Sequence, residues 1–138
     1  MTDHDQYTEL SFYTLSHPDP SFIHQYAVDA FTAQHADRRT KPIALAFALV
    51  GLYLHVERNQ TGRQVQHVHT LLARRRKRWP AFRLPLPEAR GQISVSDVLA
   101  SAPGPERDAM LDRWCASVWD AYRASRDQVI ELLRAELG

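Results

Sequence analysis

The stretch PIALAFALVGLYLHV, Pro42–Val56, contains no Asp, Glu, Lys or Arg and is apolar all the way round a helix. A helix without a polar face is buried, in a protein core or in a bilayer. Length decides between the two. The run has 15 residues, and a membrane span takes about 20. It therefore reads as the buried central helix of a bundle, with Pro42 at its first position.

The flanking segments supply the helices that would cover it. On the N-terminal side lies FIHQYAVDAFTAQH, residues 22–35, with Phe22, Ile23, Tyr26, Ala27, Ala30 and Phe31 at helical spacing. Asp19 would cap this helix, with Pro20 at its first turn. A shorter helix over residues 7–15 precedes it and ends at SHPDP. On the C-terminal side NQTG breaks the chain, and Gly62 leads into a fourth helix that runs to about Trp79. Residues 80–91, PAFRLPLPEARG, have three prolines and no helical period. They read as an extended arm pinned by Phe82, Leu84 and Leu86. SVSD, residues 94–97, has the form of a capping box and predicts one to two helical turns. Pro105 opens a long fifth helix, bending near Ser125. The fold class is thus all-α: one domain over residues 1–138, an antiparallel bundle of about five helices with a proline-rich extended arm.

The composition is that of a globular protein, 44% hydrophobic and 24% charged. With 17 Lys and Arg against 16 Asp and Glu, the chain as a whole has no field suited to nucleic acid. A single cysteine, Cys115, rules out an internal disulfide and a cysteine-based zinc site, and points to a cytoplasmic setting. Cys115 lies on an apolar stripe and predicts a buried, inert thiol. Trp114 and Trp119 share its helix and read as core. The N-terminal residues lack the basic and apolar regions of a secretion signal.

Candidate site residues are mainly histidines. His24 and His35 share a helical stripe but lie about 16.5 Å apart along the axis. Metal–nitrogen bonds are about 2 Å, so the two cannot share one ion. Folding the third and fourth helices back would collect His17, His24, His55 and His67 at one end, with Glu57 close by. That arrangement predicts a pocket for a small ligand, lined by His24, Asp29, His55, Glu57 and His67. It equally suits a divalent transition metal such as zinc, held by His17, His24 and His55. The bland alternative gives each histidine its own structural hydrogen bond. Asp29 reads first as a solvated residue beside Gln25, or else as a buried carboxylate paired with Arg63 or Lys41. His35, at a helix end, belongs to a separate environment. The densest charge is the basic run Arg74, Arg75, Arg76, Lys77 and Arg78, followed by Trp79. It reads as a solvated helix end, or as a patch for nucleic acid or another anionic partner. An apolar face forming a homodimer is a further reading of the interaction class. No partner in a membrane is expected.

VDAFTAQH, IALAFALVGLYLHVER, ISVSDVLAS and RWCASVWDAYRAS together resemble an uncharacterised bacterial family, a domain of unknown function. The resemblance spans residues 7–129. It directs attention to His24, Asp29, Gln34, His35, Glu57, Trp114 and Trp119, and implies no activity. Some relatives carry a cysteine-rich N-terminal segment suited to zinc, which this sequence lacks.

Overall fold

The structure, a computed structural model, describes residues 1–17, 19–75 and 84–137, and of Arg75 only the backbone. Among these residues every regular element is helical. They are α1 (Asp3–Leu15), α2 (His24–Gln34), α3 (Pro42–Val56), α4 (Gly62–Arg75), α5 (Val95–Ala100), α6 (Pro105–Ala121) and α7 (Arg126–Leu137). A 3-10 turn, Arg123–Ser125, separates the last two. No described helix is long and apolar enough to cross a membrane.

The central helix is where the sequence put it. Every residue at positions 48–54 of α3 is buried. The reason is its neighbours: α2, α4, α6 and α7 all pack against it. Each fully buried Leu or Val side chain there contributes about 1.5–3 kcal/mol. Leu49, Val50 and Leu52 are at most 1% exposed. Trp114, Cys115, Val118 and Tyr122 extend this core onto α6 and its C-terminal end.

Seven α-helices replace the five of the sequence reading, for local reasons. The first helix starts earlier, at Asp3. Thr2 and Asp5 form a capping box, with the Asp5 N–H donating to Thr2 Oγ1 at 3.0 Å and the Thr2 N–H to Asp5 Oδ2 at 3.1 Å. The expected box at Ser94 and Asp97 also forms and starts α5. The long last helix is broken rather than bent. The Tyr122 hydroxyl donates to Ala33 O at 2.6 Å, and the Ser125 N–H to Tyr122 O at 2.8 Å, which tightens the chain into the 3-10 turn.

The second helix begins at His24, later than the Asp19 cap predicted. Asp19 instead accepts from the Phe22 N–H, through both Oδ1 and its carbonyl. Phe22 then sits at φ +36°, outside the helical region. The resulting turn meets the start of α4. Ser21 O accepts from the Gly62 N–H at 2.7 Å and Pro20 O from the Arg63 N–H at 3.4 Å. Helix N-termini leave such N–H groups without partners, and this turn supplies them.

Of the proline-rich arm, residues 80–83 lie outside the described residues. Residues 84–91 form neither helix nor strand, with Leu84 buried and Leu86 half-buried.

Candidate functional site

The structure does not bring the four histidines together. The His17 ring N–H donates to Tyr13 O at 2.9 Å, within its own end of α1. His24 Nδ1 lies 2.9 Å from the Thr14 hydroxyl and ties α2 to α1. His55 Nε2–H donates to Asp112 Oδ1 at 3.0 Å, on α6, and its ring stacks on Tyr26 at 3.5 Å. His67 is exposed on α4. Among the described residues no three His, Cys, Asp or Glu side chains converge to hold a metal ion. The shared donor set predicted for His17, His24 and His55 is therefore corrected to separate environments. The cause is rotation about the helix axis: periodicity sets height along a helix, whereas contacts of the whole face set which way a ring points. Burial holds His24 below the usual imidazole range. His69 is lowered in the same way, and its Nε2–H donates to Phe47 O at 2.8 Å. His35 caps α2, stacks on Phe31 at 4.3 Å and approaches Asp3 at 3.8 Å.

Asp29 corrects the solvated reading outright. It is 3% exposed, and its partner is neither Arg63 nor Lys41. Gln25 Nε2 donates to Asp29 Oδ1 at 3.1 Å, while Oδ2 has no hydrogen-bond partner. The carboxyl packs onto the α3 backbone at Gly51, where an added Cβ would fall 1.8 Å from Oδ2. Gly51 was the signal in the sequence: one residue without a side chain inside a run of large ones marks a close approach. Burial pushes the Asp29 carboxyl well above the usual range, with the Gln25 bond opposing. The sign of the stability effect follows. Below about pH 4 the carboxyl is protonated in both folded and unfolded chains. Above that pH only the unfolded chain ionises, so this group's contribution is lost as pH rises toward the folded value. Asp29→Asn, neutral and of the same shape, removes that loss. Urea unfolding of both proteins should show the variant gaining on the parent by roughly 1 kcal/mol per pH unit between pH 4 and 6. Parallel pH profiles would mean that Asp29 is ionised in the fold.

Gln34 and Glu57 hold structure together. Trp114 Nε1–H donates to Gln34 Oε1 at 2.8 Å, and Gln34 Nε2 donates to Arg90 O and Ile93 O. Arg90 returns the contact, donating to Gln34 O and Ala36 O. Glu57, at the end of α3, accepts from Trp119 Nε1–H at 2.7 Å and from the Arg126 guanidinium. Arg126 holds the Glu57 carboxyl below its ordinary range. Cys115 is fully buried, and burial raises its thiol well above the usual value, as an inert core residue requires.

A cavity of about 580 Å³ lies between residues 89–92 and the end of α6. Ser117 lines it, but its Oγ accepts from the Gln92 N–H at 2.9 Å. Asp120 and Arg123 in the same wall pair with each other at 3.2 Å. Its polar groups already satisfy one another. His67 belongs to a different groove, with Gln60, Arg63, Gln64 and Val68. On α1, Phe12 and Leu15 are 76% and 54% exposed.

The basic run is the remaining candidate. Arg74 and Arg75 close α4, while Arg76, Lys77, Arg78 and Trp79 lie outside the described residues. Upstream of the run, α4 buries Val65 and Leu72 and exposes Arg63, Gln64, Gln66, His67, Thr70 and Arg74. Arg63, His67 and Arg74 fall within about 40° of one another around the helix. The Arg63 guanidinium lies 4.3 Å from the Phe22 ring centroid and donates to Gln66 Oε1. Charge is segregated along the chain. No acidic residue occurs between Glu57 and Glu88, yet eight of the 17 basic residues do. A net charge of +1 conceals this division.

A family model described as a family of unknown function, DUF5946, matches residues 4–123. No curated protein and no solved structure matches the chain.

Proposed function

The chain belongs to this family of unknown function, and we propose that it is a non-enzymatic binding module that docks a single-stranded nucleic acid along the α4 side. The observation that carries this reading is the charge segregation. A 30-residue acid-free segment, residues 58–87, holds eight basic residues, and seven of them are arginine. The planar guanidinium fork matches phosphate oxygens better than an ammonium does. The exposed α4 stripe from Arg63 through His67 to Arg74 is about 16.5 Å long, a track for several phosphates. Gln64 and Gln66 add neutral amide donors beside it. Trp79 follows the run in sequence, and aromatic stacking accompanies backbone tracking in proteins that bind single strands. A histidine-lined metal pocket has less support, because His24 and His55 each bond within the fold.

Fluorescence anisotropy with a labelled oligonucleotide of about 12 nucleotides tests this reading. Four phosphate contacts would weaken binding about 50-fold between 50 and 200 mM salt. Arg74→Glu, at an exposed position, should weaken it about tenfold at the lower salt. Binding that ignores both salt and this charge reversal would place the partner elsewhere.

A further inference from the structure

Beside the α4 stripe, α3, α4 and α7 line an open cavity of about 430 Å³ with Tyr53, Leu54, Val68, Leu133 and Leu137 in its wall. Arg58, Gln60 and Arg134 complete the lining. Gln60 and Val68 also line the adjoining cavity of about 390 Å³, together with Arg63 and His67. The two form one groove, apolar toward α7 and basic toward α4. No acidic side chain lines either half.

The groups in this groove are unequally engaged. Arg134 is held by Glu131, with nitrogen–oxygen distances of 3.0 and 2.6 Å. Arg63 is held by Gln66 and the Phe22 ring. Among the described residues Arg58 and His67 make neither an ion pair nor a side-chain hydrogen bond. Gln60 stands at the junction of the two halves. Its backbone is fixed, with its N–H donating to Leu54 O at 3.0 Å and its carbonyl accepting from the Tyr26 hydroxyl at 2.8 Å. Its side-chain Oε1 has no partner.

We propose that this groove binds a single-chain amphipathic carboxylic acid, a medium-chain fatty acid. The tail would lie along Leu54, Val68 and Leu133, and the carboxylate would meet Arg58 and His67. Ligand sites combine apolar walls with a few polar groups that fix orientation, and both parts are present here. A wholly polar anion would leave the apolar wall wet. An uncharged hydrocarbon would leave Arg58 without a counter-charge. This site shares His67 with the α4 stripe of the nucleic-acid reading and differs from it in Arg58 and in the apolar wall on α7.

Isothermal titration of the full chain with octanoate, decanoate and 1-decanol tests the proposal. Decanoate should bind saturably, tightening two- to fourfold per added methylene relative to octanoate. Arg58→Gln, at an exposed position, should weaken decanoate at least fivefold and leave 1-decanol unchanged. Leu133→Ala should weaken decanoate about threefold or more, with thermal unfolding confirming that the variant is folded. Arg74→Glu should leave decanoate binding intact, which separates this site from the α4 docking surface. Absence of saturable binding, affinity independent of chain length, 1-decanol binding as tightly as decanoate, or an unaffected Arg58→Gln would each overturn the proposal.

Discussion

Trp114→Ala should lower folding stability by about 3–5 kcal/mol, the largest loss expected of any single truncation in this protein. Trp114 is fully buried at the meeting of α6 with α2. Removing the indole opens a cavity that the surrounding helices fill only in part. It also strips Gln34 Oε1 of its donor, while Gln34 Nε2 still holds Arg90 O and Ile93 O. Trp114→Phe separates the two effects. It keeps most of the apolar contact and loses the hydrogen bond, so about 1–3 kcal/mol should go. Equilibrium urea unfolding reads both values. A loss under about 1 kcal/mol for the alanine variant would mean that α6 is not docked through Trp114.

Gly62→Ala should cost about 2–4 kcal/mol for a different reason. Overpacking costs about 1–3 kcal/mol, and losing a backbone hydrogen bond adds about 1. An added Cβ would stand 1.9 Å from Phe22 O and 2.5 Å from Ser21 O. Both are backbone atoms, so no side-chain rotation relieves the clash. The turn must move, and with it the 2.7 Å bond from the Gly62 N–H to Ser21 O. In a helix that tolerated the methyl, alanine would stabilise by about 1 kcal/mol. The sign of the measured change therefore decides whether the turn at residues 19–22 seats on α4. A stabilised variant would show that it does not.

Parts of the fold were legible in the sequence because only one environment suits them. Pro42–Val56 has no polar face, so it had to be central, and α3 is. Ser94 and Asp97 had to cap a helix, and α5 starts there. The start of α2 was not legible. Asp19 and Pro20 carry a helix-opening signal, yet Asp19 accepts from the Phe22 N–H, and the Pro20 and Ser21 carbonyls answer to α4, more than 40 residues away. The break at Tyr122 showed only as a thinning of apolar residues. Its cause, the hydroxyl bond to Ala33 O, joins residues far apart in sequence.

The candidate site divides in the same way. Heights along helices could be counted, but the rotation of His24 toward Thr14 and of His55 toward Asp112 comes from packing. Asp29 was read first as solvated beside Gln25, and Gln25 is its hydrogen-bond partner; what spacing within one helix did not show is the α3 backbone that buries the carboxyl. Gly51 makes the space, while Gln25 makes the bond. The charge division was present throughout in the acid-free segment, and the near-zero total hid it. Residues that the family resemblance singled out, Gln34, Glu57, Trp114 and Trp119, are accounted for by the contacts that join helices.

The central claim is that these shared polar residues build the fold while the α4 side does the binding. One paired measurement tests it most directly: oligonucleotide affinity and thermal midpoint, recorded together for Gln34→Ala and for the double variant Arg63→Glu with Arg74→Glu. Gln34→Ala should lower the midpoint by several degrees, because Trp114 and residues 90–93 lose their partner, and leave affinity within about twofold. The double variant should keep its midpoint within a few degrees and lose affinity by about 100-fold at low salt. The opposite pattern, with affinity lost in Gln34→Ala and kept in the double variant, would contradict the account.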